Sequence, residues 1–162
     1  MTAEPSVAHR FADAFHARDA DRVADLFTPD AEYRDLFYGL HRGRSGIRAL
    51  FARMFDEGRD HRWEMATVVT DGTTTAAEWR FTFTVTGPES RGGGRTLVFD
   101  GMSVFVTSGA LCHRYREYFD RGAALLAVGL APDAVARVVR NRPAITVHRA
   151  EDAGSWTTTA GS

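Results

Sequence analysis

Hydrophobic positions in the first part of the chain recur at helical spacing. Val7, Phe11, Ala14 and Phe15 fall on one side of a helix, with Arg10, Asp13 and Arg18 opposite them. A shorter helix is expected from Asp21, burying Val23, Leu26 and Phe27 until Pro29 stops it. Residues 31–35 read as a short strand. Gly43-Arg44-Ser45 then opens a third helix, with Ser45 as N-cap and Ile47, Leu50, Phe51, Met54 and Phe55 on its apolar face. From Arg62 the period changes to two. Strands are expected at 62–69, 76–86, 96–107 and 111–119, the first two joined at Asp71-Gly72 and the last two at Ser108-Gly109. In the second of these, Trp79, Phe81, Phe83 and Val85 share one face, and Glu78, Arg80, Thr82 and Thr84 the other. Two closing helices are expected at 122–130 and 132–140.

Helices followed by strands give an α+β fold: a curved antiparallel sheet wrapped over N-terminal helices, with a pocket between the layers. At 162 residues the chain is expected to hold one domain over 1–149, with a helical extension from about 122 and a flexible tail over 150–162.

Composition narrows the function classes. Twenty basic and twenty-one acidic side chains leave a net charge of -1, with both signs interspersed. No basic field exists to hold a phosphate backbone, so nucleic acid is not an expected partner. Every basic residue is arginine, and the absence of lysine excludes Schiff-base chemistry. Cys112 stands alone, so neither a disulfide framework nor a thiolate cluster is expected. The apolar stretch 122–132 is too short to cross a bilayer, and no membrane role is expected. Glu4, His9, Arg10 and Asp13 interrupt the region where a secretory signal would need an apolar run, which predicts a cytoplasmic protein. The six histidines lack metal-site spacing, and Gly92-Gly93-Gly94 lacks the Gly-Lys-Ser/Thr of a phosphate loop.

The helix beginning at Phe11, the run Leu26-Phe-Thr-Pro-Asp-Ala-Glu-Tyr, the Gly43-Arg44 helix start and Tyr115-Arg-Glu-Tyr-Phe-Asp together resemble the nuclear transport factor 2-like superfamily. Within it, the chain is most similar to SnoaL-like polyketide cyclases and limonene-epoxide-hydrolase-type enzymes. The resemblance implies a cone-shaped fold, a homodimer and no cofactor. It places Tyr33 and Asp35 where the hydrolases hold their attacking water, and Glu117 where they carry a water-activating aspartate. It also sets Asp35 where ketosteroid isomerases carry their base. The hydrolases' remaining arginine and aspartate fall on Trp79 and Phe81, and the isomerases' oxyanion tyrosine falls on Phe11. Neither mechanism is complete, so a cyclase-like arrangement is the expectation.

Glu117, Asp35, Tyr33 and His113 are therefore the expected catalytic residues. Strand parity aims His113, Tyr115 and Glu117 the same way, and two carboxyls in one apolar pocket would have raised pKa values. The plainer alternative makes Asp35 a turn cap and Glu117 a solvated strand residue paired with an arginine. Tyr115, Trp63, Trp79, Phe81, Phe11, Phe15 and Asp100 are expected to contact a flat, apolar, aromatic or polycyclic metabolite. No metal is expected. The function read from this is acid–base cyclisation or isomerisation of a polyketide-type intermediate. Epoxide opening by Glu117, or ligand binding without catalysis, stays open beside it.

Overall fold

The computed structural model describes residues 5–89, 92–143 and 145. The expected tail over 150–162 lies outside them. Six strands form one sheet in the order β2-β1-β6-β5-β4-β3, which curves without closing. They are β1 (Phe27–Asp35), β2 (Gly39–Arg42), β3 (Gly58–Thr70), β4 (Thr74–Val85), β5 (Thr96–Ser108) and β6 (Leu111–Tyr118). Helices α1 (Val7–His16), α2 (Ala20–Ala24) and α3 (Gly43–Glu57) cover the inner face, and α4 (Arg121–Ala127) and α5 (Pro132–Asn141) close the chain.

The helical period in α1 places Val7, Ala8, Phe11, Ala14 and Phe15 in the core. Ser6 caps this helix by accepting a hydrogen bond from the His9 N–H. Phe11 is the centre of the core. Its ring lies 4.8 Å from Trp63, 5.6 Å from Phe105, 5.7 Å from Phe51 and 5.8 Å from Tyr115, centroid to centroid. Phe15 is fully buried beside it, edge-on to Trp63 and tilted against Phe55 and Phe81. Both rings are closed off in the core, where the sequence pattern led to an expectation of ligand contact.

Two boundaries differ from the sequence pattern. The second helix ends at Ala24, and Phe27 and Pro29 belong to β1. Phe27 reaches the core from the strand instead, against Phe11 and Tyr33. Helix α3 begins at Gly43 with Arg42 as N-cap and no side-chain cap bond, so Ser45 lies inside the first turn.

Strands β3 to β6 form the expected antiparallel meander. β1 joins it in parallel with β6, Tyr33 opposite Tyr115 and Arg34 opposite Arg116. Pairing of that kind needs a long crossover and leaves no local signal in the sequence. It brings the C-terminal ends of two distant strands together, and the candidate site lies there.

On β5, Gly101 faces Trp79 of β4. A Cβ at this position would stand 2.4 Å from the Trp79 ring. Glycine thus lets the indole lie flat across the sheet, and its Nε1 reaches Ser103 at 2.8 Å.

Candidate functional site

The parallel register decides the site. Tyr33-Arg34-Asp35 on β1 and Tyr115-Arg116-Glu117 on β6 run side by side. On each strand the tyrosine and the acid are buried. Asp35 and Glu117 are 4% and 5% exposed, and each carboxyl perturbs the acidity of the other.

Backbone and side-chain donors fix both acids. Asp35 Oδ1 accepts from the N–H groups of Phe37 and Tyr38 at 2.7 and 2.8 Å, so it does cap the turn between β1 and β2. Turn cap and buried acid are one residue here. Glu117 Oε1 accepts from the Leu36 N–H at 3.0 Å, and its Oε2 from the Tyr115 hydroxyl at 2.9 Å. Tyr115 is in turn held by Ser103, 2.7 Å away, which accepts from Trp79. Glu117 has no arginine partner among the described ion pairs.

Burial disfavours the charged form of each acid. It pushes Asp35 up to about 6, although two N–H bonds and the Arg142 charge pull the other way. Glu117 is raised well above the ordinary range, first by burial and then by the neighbouring Asp35 charge. The asymmetry follows from the donors: Asp35, with two N–H bonds, is the better supported anion, and Glu117 is the acid whose neutral form burial favours more. The sign for stability is definite. Asp35 titrates near 3.8 ordinarily and near 6 when folded, so the folded state binds more protons between those values. Its contribution to stability therefore falls as pH rises from about 4 to about 6. Denaturant unfolding of the wild type and Asp35→Asn across that window should show the variant gaining on the wild type with pH. A constant difference between them would overturn the assignment.

Tyr33 stacks on Tyr115, with ring centroids 4.0 Å apart. Its buried hydroxyl has no hydrogen-bond partner among the described residues. Burial raises its pKa, with Tyr115, Glu117 and Asp35 adding to the effect, so it stays a neutral donor. An unpartnered buried hydroxyl costs about 1–3 kcal/mol. Tyr33→Phe should thus melt at the same temperature or higher. If the hydroxyl serves the reaction, turnover should fall about 3–10-fold, the worth of one neutral hydrogen bond. A clear drop in melting temperature would mean the hydroxyl is structural.

The carboxyl pair borders two spaces. Inside, Trp63, Trp79, Phe81, Phe99, Phe37, Met54 and Phe119 line a recess of about 30 Å³, room for about one water. On the other side an open groove of about 640 Å³ runs past Arg34, Arg116, Tyr118, Leu40, Arg121 and Arg142. That volume is within the range of small-molecule sites.

Two expected site residues lie elsewhere. The β5–β6 register shifts between Val106 and Thr107, whose partners are Arg114 and Cys112. His113 is the extra residue of that bulge, which breaks the strict alternation linking it to Tyr115 and Glu117. Its Nδ1 is buried without a partner among the described residues, and it makes no hydrogen bond to the carboxyl pair. Asp100 is on the outer face, where Arg80 donates to it at 2.8 and 3.1 Å. Alternation on β5 places Leu97, Phe99, Gly101, Ser103 and Phe105 inward and Asp100 outward. Trp63, Trp79 and Phe81 do line the inner cavity. Ser103 was not anticipated. A serine at an inward position among Phe99, Gly101 and Phe105 was the available signal.

The SnoaL-like domain family model matches residues 8–115, which include Tyr33, Asp35 and Tyr115 and stop two positions before Glu117. No curated protein matches the chain. Among solved structures, a hypothetical protein from Catenulispora acidiphila with a ketosteroid isomerase-like fold, in complex with trimethylamine, superposes with a TM-score of 0.70. It is 18% identical, over 81% of this chain and 98% of that one. A candidate polyketide cyclase from Xanthomonas campestris gives 0.64 at 21% identity, over 76% and 94%. TerC, co-crystallised with polyporic acid, gives 0.64 at 16% identity, over 76% and 96%. At such identities these structures share the fold, and the family assignment rests on the domain match. The chain belongs to the SnoaL-like domain family of the nuclear transport factor 2-like superfamily.

Proposed function

We propose that this protein is an acid–base enzyme that moves a proton on a small, largely apolar metabolite, as a cyclase or isomerase of polyketide-type intermediates would. One observation carries the reading: two buried carboxyls that perturb each other's proton affinity lie between a small aromatic recess and a groove of ligand size. Burying two acids against one another is unfavourable, and paired carboxyls with pKa values pushed apart suit general acid–base work.

The roles follow from the donors. Asp35, steadied by two N–H groups, takes the proton from an acidic C–H of the substrate. Glu117 returns one, with Tyr115 and Ser103 fixing its orientation. The unpartnered Tyr33 hydroxyl donates to the oxyanion that develops. Ligands in the Catenulispora and TerC structures support small-molecule binding in this fold. Epoxide opening is the weaker reading, because Trp79 and Phe81 supply no acid where the hydrolases' arginine and aspartate would stand.

The test is deuterium incorporation from D₂O into an aryl β-keto ester, compared with buffer. Wild type should accelerate exchange, and Asp35→Asn should not. If the ester binds to wild type without faster exchange, the protein is a binding module and the catalytic reading fails. The nearly filled inner cavity favours that second reading.

A further inference from the structure

The strands that carry the two acids also carry a matched pair of cations. Arg34 and Arg116 are opposite each other in the parallel register, on the outward side of Tyr33-Arg-Asp35 and Tyr115-Arg-Glu117. Like charges directly opposite on a sheet face repel and destabilise it. Neither arginine has an ion-pair partner among the described residues. The Arg116 Nε is buried and makes no hydrogen bond among the described residues.

Two more guanidinium groups close the same groove. Arg121, 8% exposed, donates to the Leu36 and Arg142 carbonyls at 3.2 and 2.6 Å. Arg142 donates to the Phe37 carbonyl at 2.8 Å. Carbonyls position these groups without neutralising them, and Arg121, the buried one of the two, has no counter-ion among the described ion pairs, which is costly. The groove's own acids are Asp35 and Glu117, both buried. Four positive charges thus face the open space with their compensation incomplete.

We propose that this groove binds the anionic group of an otherwise apolar ligand, a carboxylate or a phosphate, with Arg34 and Arg116 as its seat. Planar guanidinium groups suit such oxygens, and two of them side by side can hold both oxygens of one group. Arg121 and Arg142 supply further positive field from the far wall. Calling this ligand the substrate rests on the proton-transfer reading, since the groove runs past Asp35 and Glu117. The binding itself does not.

Titration calorimetry with benzoate, phenyl phosphate and the neutral benzamide tests it on the full chain. Benzoate or phenyl phosphate should bind at least about 10-fold tighter than benzamide, because hydrogen bonds to charged groups are worth about 1.5–3 kcal/mol. Which anion binds better identifies the group. Arg34→Gln and Arg116→Gln should each weaken it about 10-fold or more, whereas Arg59→Gln, paired with Asp60 at the surface, should leave it unchanged. Arg34 is exposed, so its variant decides the matter should Arg116→Gln fail to fold. Equal binding of benzamide, or an Arg34→Gln protein with unchanged anion affinity, overturns the proposal. Failure here with exchange still dependent on Asp35 leaves the catalytic reading standing. The converse result removes catalysis and keeps the anion site.

Discussion

Glu117→Gln should cut turnover by about 10²–10⁴-fold, the range typical of a positioned acid or base, while ligand affinity changes little. The amide keeps the shape and can still accept from the Leu36 N–H and donate to Asp35, but it cannot deliver a proton. In free-energy terms the loss is about 3–5 kcal/mol of transition-state stabilisation. Asp35→Asn should lose at least as much, because it removes the anion that two backbone N–H groups support. A double variant no worse than either single would identify the pair as one working unit. The measurement is kcat with the true substrate, or the D₂O exchange rate until that is known. Loss confined to Asp35→Asn would reduce Glu117 to a hydrogen-bond donor. Full activity in both variants would remove the carboxyls from the reaction.

Phe11→Ala should destabilise the fold by about 3–5 kcal/mol, as expected for removing a large aromatic from a closed core. Seven aromatic rings surround this side chain, including Tyr33 and Tyr115 behind the site. Folded domains are stable by only about 5–15 kcal/mol, so the loss is a large share of the total. At this chain length it corresponds to a fall of roughly 10 °C in melting temperature. Calorimetric melting checks it. Unchanged melting with impaired ligand binding would restore Phe11 as a ligand contact.

Much of this architecture was legible because it is periodic. The 3.6-residue spacing of Val7, Phe11, Ala14 and Phe15 and the two-residue spacing of Trp79, Phe81 and Phe83 fixed which faces meet. Asp35 and Glu117 were readable through family resemblance, and the structure places them together. His113 was misplaced because one extra residue on β6 breaks the alternation, and a bulge leaves no mark in a single sequence. Asp35 posed a false choice, since capping a turn and sitting buried beside another acid are compatible. The repeated Tyr-Arg-acid was visible in the sequence all along. Its meaning depends on parallel pairing between segments far apart in the chain, which no local pattern encodes.

That pairing also dates the site within the folding of each molecule. The hydrogen bond from Leu36 to Glu117 closes a loop of 81 residues, whereas β3 to β6 meet through neighbouring turns. Closing a long loop costs chain entropy before any contact rewards it. Loop closure therefore favours a meander that forms first and a β1–β6 seam that zips last. Mutations at Tyr33 or Asp35 should speed or slow unfolding and leave the folding rate nearly unchanged, which stopped-flow kinetics would register. During synthesis the same order is imposed by the ribosome. Until Glu117 emerges, Asp35 sits on a strand that can pair with β2 but not with β6, and the acid pair is not yet assembled.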